Sequence, residues 1–134
     1  MKKTLFTVFI TVVMTLSLLT LSGCGKYTSH YKAVAFVHTN TTKKASMSFS
    51  SFEGTMVFKL KCESDDEKIN YSAKLENGSA TVFYDCNGTK TELFSINSGD
   101  DITEIGGVLQ KGTVYIIIET SVVAEDGCFN FDVK

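Results

Sequence analysis

Residues 69–85 read Ile-Asn-Tyr-Ser-Ala-Lys-Leu-Glu-Asn-Gly-Ser-Ala-Thr-Val-Phe-Tyr-Asp. Apolar and polar side chains alternate on both sides of Asn77-Gly78, the period of a half-buried β-strand. Asn-Gly between two alternating runs signals a type I′ hairpin, whose central residues both need φ > 0. A two-residue loop there pairs Leu75 with Ala80, Ala73 with Val82, Tyr71 with Tyr84 and Ile69 with Cys86. All eight then share one apolar face, and a one-residue slip would scatter them. The opposite face collects Asn70, Ser72, Lys74, Glu76, Ser79, Thr81 and Asp85, with Phe83 as its sole apolar member.

A second Asn-Gly, at 87–88, extends this into a predicted three-stranded meander over residues 67–97. Its register sets Leu93 opposite Val82 but sends Phe94 and Ile96 to the polar side. A β-bulge, a covering segment, or an exposed apolar patch would each resolve that conflict.

Elsewhere the period is again two. Ala33–Val37 is a first strand, and Met47, Phe49 and then Met56, Phe58, Leu60 alternate with polar partners, with Gly54 breaking them into two strands. Val114–Ile118 is a continuous apolar run, expected where both faces of a central strand are buried. Phe129, Phe131 and Val133 alternate in the last strand. No segment carries a helical stripe, and the chain has no proline. The pattern predicts an all-β fold, a two-sheet antiparallel β-sandwich of jelly-roll type, with a small β-barrel as the alternative.

The N-terminus is of another kind. Lys2 and Lys3 precede an uncharged apolar stretch, Leu5–Leu21, which ends in Leu21-Ser22-Gly23-Cys24. These are the parts of an export signal. At 17 residues the stretch is short of the roughly 20 that a membrane span needs. Residues 1–24 resemble the bacterial lipoprotein signal, whose pattern is Leu, a small residue, Gly or Ala, then Cys. The resemblance implies cleavage before Cys24 and a diacylglycerol on its thiol. The expected organisation is a signal peptide over 1–23, a lipidated Cys24 with a short polar tether over 24–31, and one domain over 32–134. The expected location is extracytoplasmic, anchored to a bacterial membrane.

Removing residues 1–23 from 134 leaves 111 residues, enough for one core and too few for two domains. Lys2 and Lys3 leave with the signal, so 11 lysines oppose 15 acids. A mildly acidic domain without arginine lacks the guanidinium forks suited to phosphate, which speaks against nucleic acid as a partner. Lipid on Cys24 leaves Cys62, Cys86 and Cys128, an odd set that permits one bridge or none.

Sites for chemistry are sparse. No nucleophile elbow, zinc-protease pair, phosphate loop or dinucleotide fingerprint occurs. The two histidines, His30 and His38, stand outside any motif with an acid and a nucleophile. No cofactor is expected; Asp65-Asp66-Glu67, Asp100-Asp101 with Glu104, and Glu125-Asp126 could offer oxygen to calcium, but without the spacing that specifies it. Tyr71 and Tyr84 fit a cross-strand core pair better than a sugar platform. The sequence therefore predicts no catalytic, metal or cofactor residues, and a non-catalytic module that binds a surface protein, a glycan or an envelope component. The alternative is a small extracytoplasmic hydrolase. Recognition is expected on the loops 63–68, 98–112 and 121–127.

Overall fold

The computed structural model describes residues 27–134, so Cys24 and the signal lie outside the described residues. Eight antiparallel strands follow in order: β1 (His30–Val34), β2 (Val37–Asn40), β3 (Lys44–Cys62), β4 (Ile69–Asn77), β5 (Ser79–Asp85), β6 (Thr91–Asn97), β7 (Asp101–Gly106) and β8 (Gly112–Val133). The described residues are all-β, and the sheet does not close into a barrel.

The two long strands organise everything else. The first half of β3 (44–52) pairs with the second half of β8 (124–132), while 54–62 pair with 112–120. β4 joins β8 at 125–133, and β7 joins β4. β5 joins β8 at 115–119, and β6 joins β5. One sheet therefore runs β2–β3–β8–β4–β7, the other β3–β8–β5–β6, and the two fold face to face. β1 flanks β3 at the bend, pairing with 51–55. Aromatic contacts cross between the layers: Phe58 meets Phe131, and Phe94 meets Tyr71, Phe129 and Phe131.

Gly54, read from sequence as a break between strands, is instead the bend inside one strand. Its φ is +124°, and a Cβ there would strike the His30 carbonyl oxygen. The register slips at this point, from Phe52 opposite Ala124 to Gly54 opposite Thr120. Thr120 bridges the slip: its Oγ1 accepts from the Gly54 N–H at 2.9 Å and donates to the Gly54 carbonyl at 3.4 Å. A backbone pair that would lose its ladder partners is thus satisfied.

The 67–97 meander is corrected at its first turn. β4 and β5 do not pair; Asn77-Gly78 is an arch between the two sheets, and only Gly78 has positive φ. The inward set nevertheless holds, since Ile69, Tyr71, Ala73, Leu75, Ala80 and Val82 are all buried. Strand parity across the turn is the same whether the strands lie side by side or face each other. Alternation fixes the face and leaves the partner open. Tyr71 accordingly stacks on Phe94 at 4.6 Å, not beside Tyr84.

The second conflict resolves as a bulge. Phe83 pairs with Glu92 and Tyr84 with Thr91, as a turn centred on Asn87-Gly88 requires. The register then shifts at Val82/Phe83, so that Phe94 faces Val82 and Ile96 faces Ala80, both buried. The turn is not type I′, because Asn87 has negative φ. Asp85 shapes it: Oδ1 accepts from the N–H groups of Asn87 (3.1 Å) and Gly88 (2.7 Å).

Three further readings change. The 33–37 run is bent at Ala35 (φ 50°) into β1 and β2. The expected loops 98–112 and 121–127 contain β7 and part of β8. Residues read as tether take part in the fold: β1 begins at His30, and Tyr27 and Ser29 hydrogen-bond to the domain. The continuous run behaves as expected, with Ile116 and Ile118 in the core and Ile117 buried on the outer side, in register with Val57 and Phe83.

Candidate binding face

The registers of the first sheet place five residues in one row. Thr39 pairs with Ser46, Ser46 with Asn130, Asn130 with Ser72, and Ser72 with Thr103. Ser46, Asn130 and Ser72 alternate with buried neighbours, since Ala45, Phe129, Phe131, Tyr71 and Ala73 point to the core, and the register carries Thr39 and Thr103 onto the same face. The row must therefore lie on the outer face. It spans four inter-strand gaps of ~4.8 Å, about 19 Å in all.

This face is an open trough with a volume of about 620 Å³, lined by the row and by Lys44, Asn70, Glu104, Ile105 and Asp132. Within the row, Thr39 and Ser46 share a 2.7 Å hydrogen bond, and Asn130 Nδ2 donates to Ser72 Oγ at 3.4 Å. The neighbouring row runs Lys44–Asp132–Asn70–Ile105, and Lys44 lies 3.9 Å from Asp132. On the other side come Ser48, the exposed Cys128, Lys74 and Asp101. Charge thus sits at the flanks and the centre is neutral. Below the trough, Tyr71 donates to Glu104 Oε2 at 3.3 Å; burial, then the Glu104 charge, push its phenol pKa up.

The residues singled out from sequence are not drawn together. His30 opens β1, and His38 on β2 stacks on Phe36 at 5.0 Å. The acidic groups serve local structure. Glu67 pairs with Lys43 and accepts from the Glu63 N–H at 2.6 Å; these bonds hold its carboxyl at about 2. Asp65 accepts from the Lys111 N–H, and Asp100 from the Asn97 N–H. Among the described residues, no group of three or more His, Cys, Asp or Glu side chains converges as a metal site would need.

The thiols are separate as well. Cys62 is buried and donates to the Ser64 carbonyl at 3.0 Å, and burial is the main cause that raises its pKa. Cys62 pairs with Gly112 of β8, and Cys86 follows Asp85 on β8's other flank. Two strand spacings, roughly 9–10 Å, exceed the ~7 Å Cα limit for a disulfide. The strand between them is β8.

The trough row was not legible in advance, because its members come from five strands. The only signal for each was being the outward partner in an alternating run.

No protein-family model and no curated protein matches the chain. Solved structures with a similar course include a CBM4 carbohydrate-binding module, at TM-score 0.39 and 12% identity, covering 76% of this chain and 77% of that one. The cupin domain of Drosophila melanogaster CENP-C follows at TM-score 0.32 and 13% identity, covering 84% and 88%. An oxalate decarboxylase variant from B. subtilis has TM-score 0.30 and 15% identity, covering 81% of this chain and 30% of that one. The strand pairing described above, not these distant likenesses, establishes the fold, and they carry nothing about ligand or activity.

Proposed function

We propose that this chain is a non-catalytic binding module, held outside the cytoplasm at a bacterial membrane by lipid on Cys24, whose trough takes an extended, uncharged glycan. The observation that carries this is the Thr39–Ser46–Asn130–Ser72–Thr103 row. Hydroxyl and amide groups both donate and accept, as sugar hydroxyls do. A row about 19 Å long suits a chain-like ligand better than a compact one. The charged groups at its flanks, Lys44 with Asp132 and Lys74 beside Asp101, largely offset each other and give an anionic ligand little net attraction. With no tryptophan in the chain, the ligand is held by hydrogen bonds more than by stacking, and binding is weak.

A glycan array probed with the mature protein, followed by titration of the best hits, tests the reading. Ser72→Trp, which blocks the row beside its central Asn130, should abolish binding with little change in melting temperature. Binding that survives this block would place recognition elsewhere. Metabolic labelling with a fatty-acid analogue tests the anchor, and Cys24→Ala should remove the label.

A further inference from the structure

We propose that the outer face of the second sheet, around Lys59 and Tyr115, is the surface that lies against the lipid bilayer, so that the trough opens away from it. This rests on the lipidation of Cys24 proposed above. The argument comes from where the described chain begins and how little of it separates that point from the anchor.

Tyr27 lies on this face. Its ring meets Tyr115 edge-on at 5.3 Å, and its hydroxyl donates to Asp85 Oδ2 at 2.5 Å. Two residues on, Ser29 Oγ accepts from the Val57 N–H at 2.8 Å, and from His30 the chain is paired in β1. Tyr27 is thus fastened over β8 on the outer face, and from Ser29 the chain runs along the edge of β3. Only Gly25 and Lys26 stand between Tyr27 and Cys24. Three Cα–Cα steps reach at most about 11 Å. A lipidated Cys24 therefore brings the Tyr27 site to within about 11 Å of the lipid headgroups.

The composition of the face suits that neighbour. Lys59 pairs with Tyr115, Lys61 lies two residues further along, and both lysines are exposed. Val57 and Phe83 are half-buried beside Ile117. Lys90 covers the Phe83 ring at 4.3 Å and engages Glu119 at 2.6 Å; the other acids on the face are Glu92 and Asp85, the latter bonded by Tyr27. Lysines near an anionic leaflet are attracted to it. The trough is on the opposite side of the sandwich, beyond an inter-sheet distance of about 10 Å.

The chain lacks tryptophan, so one introduced indole reports one position. Full-length protein carrying Lys59→Trp or Thr103→Trp, processed in a bacterial host and purified with its lipid, would be reconstituted into phosphatidylcholine–phosphatidylglycerol vesicles with brominated acyl chains. Quenching should be at least twofold stronger at Lys59→Trp than at Thr103→Trp. Adding Tyr27→Ala should erase the difference. Lys61→Trp serves as a second reporter should Lys59→Trp fail to fold. Equal quenching at both faces, in protein that mass spectrometry shows to be diacylated, would overturn the orientation and leave the anchor standing. Protein of unlipidated mass that does not bind vesicles would overturn the anchor, and the orientation with it.

Discussion

Tyr27 and Asp85, 58 positions apart, share a 2.5 Å hydrogen bond that fastens the start of the described chain to the turn between β5 and β6. Asp85 is 2% exposed, and its other oxygen already holds the Asn87 and Gly88 N–H groups. One carboxylate therefore organises both a turn and the entry of the chain.

Tyr27→Phe should destabilise the domain by about 1.5–3 kcal/mol, the usual range for a bond to a charged group. Burial, then Asp85, push the Tyr27 pKa up to about 12. The folded form thus keeps its proton longer than the unfolded chain, which titrates near 10. The contribution is complete below pH 10 and is lost as pH rises from 10 toward 12. Urea melts across that window should show the wild type falling toward the Tyr27→Phe variant.

Glu67 acts at the other end of the scale. Its carboxyl sits at about 2, chiefly because Lys43 and the Glu63 N–H bond to the charged form. Stabilisation from this group is present above the unfolded value near 4.3 and declines as pH drops through it toward 2. Glu67→Gln should flatten the acid limb of the stability profile in that interval and leave neutral-pH circular dichroism unchanged.

Gly78→Ala should cost about 2–4 kcal/mol in chemical denaturation. The residue has φ +98°, and a Cβ would lie 2.8 Å from both Ala124 Cα and the Val123 carbonyl oxygen. Gly127→Ala tests packing alone, since an added Cβ would stand 2.5 Å from Phe49 Cζ. Overpacking of this sort costs about 1–3 kcal/mol.

Maleimide should find the thiols in a fixed order. Cys128 is exposed, Cys86 is half-buried with Val108 above it, and Cys62 is buried. Brief labelling followed by peptide mass spectrometry should mark Cys128 first, Cys86 later, and Cys62 only in denaturant. No Cys62–Cys86 bridge should form on air oxidation of the folded protein.

Sequence periodicity was informative where a strand has one buried face. The inward residues of β4 and β5, the last strand, and the run at 114–118 all follow from alternation and hydrophobicity. It failed on partners, because an arch and a hairpin at Asn77-Gly78 bury the same side chains. β7 was missed since an edge strand with four of six residues exposed shows no apolar face to read. β3 was split because Gly54 bends a strand as readily as it ends one. The trough followed only once pairing was known: Thr39 and Thr103 gain meaning from lying in line with Asn130.

Because β8 is central to both layers, neither can be completed without residues 112–133. Remove β8, and β3 is parted from β4 in one sheet and from β5 in the other. During synthesis most of the chain emerges before its organising strand. Contacts between residues so distant in sequence also form slowly. The polypeptide thus remains threadable for nearly its whole length, and on the export proposed above its architecture would itself delay folding until translocation is almost over.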